Sequence, residues 1–397
     1  MRVLHALHLS LPFIAGYSIR SSYILRFQRQ HGIDPVVVTS AQDPNGETRV
    51  TIDDVVHVRT PDILTLPAGL REAELMHTMY RSVDACIREF QPDLVHAYSP
   101  VLVGLPAMLA AKRHKLPFVY EVRDLWENAS VDRGKFKEDS LLYKGARGLE
   151  TRVYKNADAV ITICEALRES VAPRVGCNTA LHVVPNGVEV ERFTPANADD
   201  ETKKKWKLDG KQVLGYIGTF QPYEGLSTAL TAMPRIAAAI PNAHLMITGA
   251  GGVEEELRAQ VTREGLEQLV TFTGRVPHEQ VKELYAIPDL FVYPRVLTRT
   301  TALTTPLKPL EAMATGKPVL VSDVGAMLEL VRPGETGMVF EAGNAEDFAA
   351  KAIHILEDPA RRESMGQAAR RYVEQERQWP TIIGRYPDIY GAIPTRR

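Results

Sequence analysis

Thr305-Pro306-Leu307-Lys308-Pro309-Leu310-Glu311-Ala312-Met313-Ala314-Thr315-Gly316-Lys317-Pro318-Val319-Leu320-Val321-Ser322-Asp323 sets a cation and a carboxylate beside a helix start, then runs directly into an apolar strand. Lys308 and Glu311 lie three apart, so a helix here puts both on one face. A lysine near a helix N-terminus can meet a diphosphate that the free N–H groups already attract. Glu311 is then placed for a ribose hydroxyl. Gly316 reads as a C-terminal glycine, and 319–321 as a parallel strand covered on both faces. The same residues also suit an ordinary helix–turn–strand unit whose glutamate is solvated.

Working outward, short β-branched runs alternate with longer amphipathic segments, the pattern of repeated βαβ units and a parallel sheet. The first set comprises 3–7, 35–39, 94–96, 118–122, 159–163 and 182–184, with helices from near Ser18 and over 72–90. A second set comprises 213–217, 243–248, 270–272, 290–292 and 319–321. Between them, 191–210 is polar, with Pro195, Asn197, Asp199, Asp200 and Lys203-Lys204-Lys205, and reads as a linker. The expected fold is α/β, with two doubly wound Rossmann-like domains facing across a cleft: 1–190, and 211–376 after the linker 191–210. In open parallel sheets ligands collect at the carboxyl ends of the strands. Glycines stand there in Gly215-Tyr216-Ile217-Gly218-Thr219-Phe220, Thr248-Gly249-Ala250-Gly251-Gly252 and Thr273-Gly274-Arg275-Val276-Pro277, where backbone can approach a ligand or simply turn.

A length of 397 residues suits two domains, and 47 basic against 49 acidic residues give no global case for binding nucleic acid. Cys86, Cys164 and Cys177 share no CxxC spacing, so reduced thiols in a cytoplasmic protein are expected rather than a disulfide framework or zinc site. His5, His8 and Pro12 interrupt the apolar N-terminus, which favours a first strand over a secretion signal. No run approaches the roughly 20 apolar residues a bilayer needs, so membrane contact would be peripheral. Arg20, Arg26 and Arg29 near one face of the first helix, and Arg133, Lys135, Lys137, Lys144, Arg147, Arg152 and Lys155 later, would offer an anionic leaflet a basic face; a solvated surface balanced by Glu138, Asp139 and Glu150 is the other reading. There is no Asp-x-Asp, and His5 and His8 suit packing better than metal binding, so no metal or other cofactor is expected.

Four motifs in order resemble the retaining glycosyltransferases of family 4, with the GT-B fold. They are Val184-Pro185-Asn186-Gly187-Val188 with Arg192-Phe193-Thr194-Pro195; Val270-Thr271-Phe272-Thr273-Gly274-Arg275-Val276; Leu284-Tyr285 through Asp289-Leu290-Phe291-Val292-Tyr293-Pro294; and Glu311-Ala312-Met313-Ala314-Thr315-Gly316-Lys317-Pro318-Val319. Val119-Tyr120-Glu121-Val122-Arg123-Asp124-Leu125-Trp126-Glu127, with Tyr17-Ser18-Ile19-Arg20-Ser21, resembles the subgroup accompanying exosortase-linked exopolysaccharide clusters. The resemblance implies a nucleotide-sugar site in the second domain and an acceptor site in the first. A final helix over 379–390, within 377–397, would cross back to the first domain. It also implies transfer of a hexose-type sugar, with retention, to a glycan or glycolipid hydroxyl at the inner face of the cytoplasmic membrane. A sugar-nucleotide epimerase, a glycoside phosphorylase or a non-catalytic sugar-nucleotide-binding subunit would share the scaffold.

Donor contacts are expected at Gly218, Thr219, Gly274, Arg275, Val276, Arg295, Arg299, Thr305, Pro306, Leu307, Lys308 and Glu311, and acceptor contacts at Gly16, Tyr17, Arg20 and His96. The chain departs from the family pattern in ways that bear on mechanism. Of two glutamates with seven residues between them only Glu311 is present, because Leu303 holds the other place, and the usual diphosphate-binding arginine and lysine fall on Thr219 and Glu224. Other cations must then neutralise the leaving group, and Arg295, Arg299 and Lys308 are available. Arg123 stands where a histidine is usual; it cannot act as a base at neutral pH, so Asp124 or Glu127 is the candidate for the acceptor hydroxyl. The catalytic group is thus expected among Arg123, Asp124, Glu127 and Lys308.

Overall fold

The computed structural model describes residues 1–40, 47–61, 67, 69–196, 198, 200–276 and 281–394. Two compact units divide the chain: Met1–Asn186 with Trp379–Arg397, and Gly187–Gln378.

The first unit is an eight-stranded sheet of β1 Arg2–Leu7, β2 Asp34–Thr39, β3 Arg49–Ile52, β4 Val55–Arg59, β5 Leu94–Tyr98, β6 Phe118–Val122, β7 Ala159–Thr162 and β8 Ala180–Val183, in the order β3-β4-β2-β1-β5-β6-β7-β8. Every pairing is parallel except β3 with β4. Helices α1 Gly16–Gln30, α2 Leu70–Phe90, α3 Val101–Arg113, α4 Trp126–Asp132, α5 Leu141–Asn156 and α6 Glu165–Val171 complete the alternation. All residues of β5, β6 and β7 are buried, as a parallel sheet covered on both faces requires. Helix α3 lies close on the sheet at Gly104, where a Cβ would stand 2.3 Å from the Tyr120 ring.

The second unit follows the same plan: α7 Asp200–Lys205, β9 Gln212–Ile217, α8 Leu226–Ala239, β10 Ala243–Thr248, α9 Glu254–Glu264, β11 Val270–Gly274, α10 Val281–Tyr285, β12 Leu290–Tyr293, α11 Lys308–Ala314, β13 Val319–Ser322, β14 Gly337–Phe340, α12 Ala345–Leu356 and α13 Pro359–Glu376. Its six strands run parallel in the order β11-β10-β9-β12-β13-β14. The strand order reverses between β1 and β5 in one sheet and between β9 and β12 in the other, and the carboxyl ends of those pairs are where ligands bind in such sheets.

Several expectations need correction. The stretch 191–210 is not a separate linker: Phe193 and Leu208 are buried in the second unit's core, and α7 lies within the stretch. Asn197 and Asp199, read as linker residues, lie outside the described residues. The single helix expected over 379–390 is two short helices, α14 Trp379–Ile383 and α15 Tyr386–Gly391, and both belong to the first unit. Strands β3 and β4 were not anticipated. Asp53 and Asp54 join them with φ of 48° and 60°, the left-handed pair that a two-residue hairpin needs.

Two carboxylates, Glu127 and Glu150, are fully buried in the first unit. Glu127 accepts from Arg174 Nη1 at 2.8 Å, while Glu150 accepts from the Val101 amide at 2.8 Å and from the Tyr120 hydroxyl at 3.0 Å. Burial, with Glu127 nearby, pushes the Glu150 carboxyl up to about 8 from its ordinary 4.5. The folded state therefore keeps a proton that the unfolded chain releases. This contribution to stability is complete below about pH 4.5 and is lost as pH rises to about 8, at about 1.4 kcal/mol per pH unit. Glu150→Gln is expected to flatten that fall, as checked by urea unfolding across this range; an unchanged slope would mean Glu150 is ionised in the fold.

Candidate functional site

Lys308, Glu311, Arg295, Gly218 and Glu224 come together in the second unit because β9 and β12 end side by side and α11 starts above them. Lys308 Nζ donates to Glu224 Oε1 at 2.9 Å and to the Tyr216 hydroxyl at 2.7 Å, and it stands 4.8 Å from the Tyr216 ring centroid. Its stem crosses Gly218, where a Cβ would fall 2.4 Å from Lys308 Cε. Arg295 Nε reaches the other oxygen of Glu224 at 3.4 Å, and its guanidinium lies over Tyr223 at 5.3 Å. Burial lowers the Lys308 ammonium and Glu224 opposes this. Burial would raise the Glu224 carboxyl, but Lys308 and Arg295 outweigh it and hold it below its ordinary value.

Glu311, one turn along α11, accepts from the Tyr285 hydroxyl at 2.6 Å, and burial raises its carboxyl. Pro306 and Pro309 have no N–H, so the start of α11 offers fewer amide donors than the helix reading assumed. Leu307 caps the helix, Thr305 is buried, and Arg299 is half-buried on the loop before the 3-10 turn Thr301–Leu303. Thr219 is exposed at the end of β9, and its carbonyl accepts from the Tyr216 hydroxyl at 2.9 Å. At the end of β11, the exposed Arg275 and Val276, which follow Gly274, line a cavity of about 150 Å³, walled also by Trp206 and Leu284.

In the first unit the candidates divide differently. Arg123 is buried: its Nε donates to Glu121 at 2.9 Å, and its Nη1 to the Tyr17 carbonyl at 2.8 Å and Ser21 Oγ at 2.7 Å. Its partner is thus Glu121, not Asp124 or Glu127. Arg20, expected at the acceptor, is also buried and gives its donors to Glu121, Asn186 and the carbonyls of Val184 and Pro185. It therefore has no place in a basic surface, and Arg29 is held by Asp53 O and Asp54. His96 is a core residue, with Nδ1 at 2.7 Å from the Tyr390 hydroxyl and burial holding its ring well below its ordinary pKa. Glu127, fully buried on Arg174, cannot reach an acceptor. The half-buried Asp124 remains at the carboxyl edge; it accepts from Ser99 Oγ at 3.3 Å, and burial raises its carboxyl. Gly16 is exposed at the start of α1, and the Tyr17 hydroxyl accepts from the His8 amide at 3.1 Å. Glu121, Tyr216 and Tyr285 were not among the expected site residues, although a glutamate inside the apolar strand 118–122 is a visible signal of a buried ion pair. Among the described residues, no group of three or more His, Cys, Asp and Glu side chains could hold a metal, and no helix is long and apolar enough to cross a membrane.

Comparison with known proteins agrees with this architecture. Residues 198–372 match the model described as glycosyl transferases group 1, and 15–187 match a glycosyl transferase 4-like domain. A GDP-mannose-dependent monoacylated alpha-(1-6)-phosphatidylinositol monomannoside mannosyltransferase of Corynebacterium glutamicum is 31% identical over 90% of this chain and 98% of its own. The chain belongs to the family 4 glycosyltransferases. A GDP-mannose-dependent alpha-mannosyltransferase of Mycobacterium tuberculosis is 26% identical over 98% of this chain and 95% of its own. Among solved structures, sucrose-phosphate synthase from Thermosynechococcus elongatus superposes with a TM-score of 0.79 at 21% identity, covering 98% of each chain. HepE of Anabaena in complex with UDP gives 0.79 at 18% identity, over 99% of this chain and 100% of its own. These likenesses establish the GT-B fold.

In this glycosyltransferase, Glu121→Ala would leave Arg20 and Arg123 buried without their carboxylate. A loss of about 3–5 kcal/mol is expected in urea unfolding. Asp124→Asn, which removes no buried ion pair, should change stability far less; comparable losses would contradict the assignment of Glu121 as the structural anion.

Proposed function

We propose that the chain moves a hexose-type sugar from a nucleoside diphosphate to a hydroxyl of a glycan or lipid-linked acceptor in bacterial polysaccharide or glycolipid assembly, with retention at the anomeric carbon. The observation that carries this reading is the pair of cations, Lys308 and Arg295, on a single carboxylate at the point where the strand order reverses. Negative charge builds on the leaving diphosphate as the glycosidic bond breaks, and cations already oriented there stabilise it without reorganising. We assign this neutralisation to side chains, with no resident metal. Glu311, fixed by Tyr285, faces the ribose, and the cavity beside Arg275 and Val276 takes the base. Asp124 is the acceptor-side carboxylate that retains exposure, and its raised pKa suits proton exchange with a hydroxyl. The relatives named as GDP-mannose-dependent make GDP-mannose the first donor to try.

The acceptor side also supports a membrane-bound substrate. Leu141, 89% exposed, and Leu142 open α5 amid Lys135, Lys137, Lys144 and Arg147. Exposed apolar side chains in a stretch with more basic than acidic neighbours suit an anionic leaflet. We place the enzyme in the cytoplasm, on the inner face of that membrane.

Lys308→Ala and Glu311→Ala should each weaken nucleotide binding by about 1.5–3 kcal/mol, the value of a charge-assisted hydrogen bond, while unfolding stays cooperative. Titration calorimetry with GDP and UDP measures this, and unchanged affinity in both variants would remove these residues from the site. Transfer from GDP-mannose to a lipid extract, with the product anomer read by NMR, tests the reaction. Affinity without transfer would indicate a binding subunit, donor interconversion without acceptor an epimerase.

A further inference from the structure

Glu224 stands in the loop after β9, where resemblance to the family calls for a cation, yet it is not out of place. Its side chain is 4% exposed and lies between two positive groups, with Lys308 Nζ at 2.9 Å from one oxygen and Arg295 Nε at 3.4 Å from the other. The ammonium occupies the space beside this loop, crossing Gly218 and resting on the Tyr216 ring. A cation carried by residue 224 and one carried by residue 308 would therefore occupy nearly the same place.

We propose that Glu224 and Lys308 are a charge-exchanged pair: the cation for the donor's diphosphate is delivered from α11 instead of the loop after β9, and Glu224 is the positioning residue that holds it there. The inference rests on the donor reading above and extends it to a specific division of labour for nucleoside diphosphates. The charges around the pair fit this role. Glu224 and Glu311 oppose the effect of burial on Lys308, while Arg192 and Lys308 act on Glu311. Other polar groups hold the ammonium without neutralising it. The Tyr216 hydroxyl of β9 accepts a hydrogen bond from it, and the Tyr293 hydroxyl of β12 donates to the Lys308 carbonyl at 2.9 Å. Tyr285 of α10 occupies Glu311, and Tyr223 faces Arg295. Lys308 keeps 21% of its side chain exposed, so the residue is held without being sealed from solvent.

The test is a double-mutant cycle read by calorimetric titration with GDP and UDP. Lys308→Glu should lose at least about thirtyfold in affinity, and adding Glu224→Lys should restore at least about tenfold of it, since the cation then returns from the other side of the same contact. A second variant gives a readout that a purely structural role would not move. Glu224→Gln removes the carboxylate that opposes desolvation of Lys308. Its nucleotide affinity, measured from about pH 7 to about pH 9.5, should fall at a lower pH than that of the native protein. The inference is overturned if the exchanged double variant, folded by its melting transition, binds no better than Lys308→Glu; if that variant does not fold, coincident pH profiles for native protein and Glu224→Gln overturn it. A native protein that binds neither nucleotide removes the donor reading itself, an outcome distinct from native binding without rescue.

Discussion

Glu121 is the point through which the first unit closes. Its carboxylate sits in the middle of a fully buried strand, receives Arg20 from α1 and Arg123 from the end of its own strand, and accepts from the Tyr386 hydroxyl of α15. A buried carboxylate alone would neutralise itself by taking a proton; burial pushes that way here, and the two guanidiniums outweigh it and hold the group far below its ordinary value. Since Arg20 also grips the carbonyls of Val184 and Pro185 and the side chain of Asn186, a single charge cluster fastens α1, β6, the end of the first unit's main segment and the C-terminal return. Histidines near it are kept neutral: burial takes His5 down to about 3 and His96 well below its ordinary value. Such a cluster is weak evidence of net stability, because desolvation offsets much of the attraction. Its effect is to penalise any arrangement in which one partner is missing.

The second unit contains the same device with a different outcome. Glu224, like Glu121, lies between two cations at the carboxyl edge of a parallel sheet. In the first unit the cations are 3% and 6% exposed, and the one Arg123 nitrogen without a hydrogen bond belongs to a guanidinium held between the rings of Tyr17 and Tyr98 at 4.4 and 4.2 Å. In the second unit Arg295 is also enclosed, with Nε on Glu224 at 3.4 Å, but Lys308 keeps 21% of its side chain exposed. One triad is closed to solvent, and the other keeps a partly exposed cation. The contrast separates residues that build the fold from residues that bind, although both sets are charged strand-end groups in the sequence.

The legible parts of the chain were those fixed by local pattern. Runs such as 94–96, 118–122 and 243–248 are apolar because both faces of a parallel strand are covered, so the sheets could be read from composition alone. Helix α11 and the spacing of Lys308 and Glu311 were readable for the same reason. Contacts between distant residues were not. Arg20 meets Glu121 across 101 positions, and Tyr386 meets it across 265, so nothing in the neighbourhood of Arg20 distinguishes a buried clamp from a solvated arginine. The strand read over 94–96 runs on to Tyr98, so His96 is a mid-strand core residue on Tyr390, and the local sequence does not distinguish it from a strand-end histidine. The polar stretch 191–210 misled because composition averages over faces. Its lysines are outward, while Phe193 meets Tyr285 edge-on at 5.2 Å and Leu208 is fully buried.

Departure from a family pattern is therefore better judged in pairs than position by position. Taken singly, a glutamate at 224 removes a cation from the donor site and argues for a protein that has lost its reaction. Taken with Lys308, it keeps the charge at the carboxyl ends of β9 and β12 while changing which element supplies it. Physical constraint makes such an exchange feasible at this location: Gly218 leaves room for a long stem, Tyr216 provides a surface for its methylenes and an acceptor for its ammonium, and burial demands a counter-charge for whichever cation is present. Once a lysine stands at 308, a second cation at 224 would face it at contact distance in a poorly solvated site, whereas a glutamate keeps both Lys308 and Arg295 charged and oriented. The unusual residue is thus a requirement of the one that replaced the usual contact.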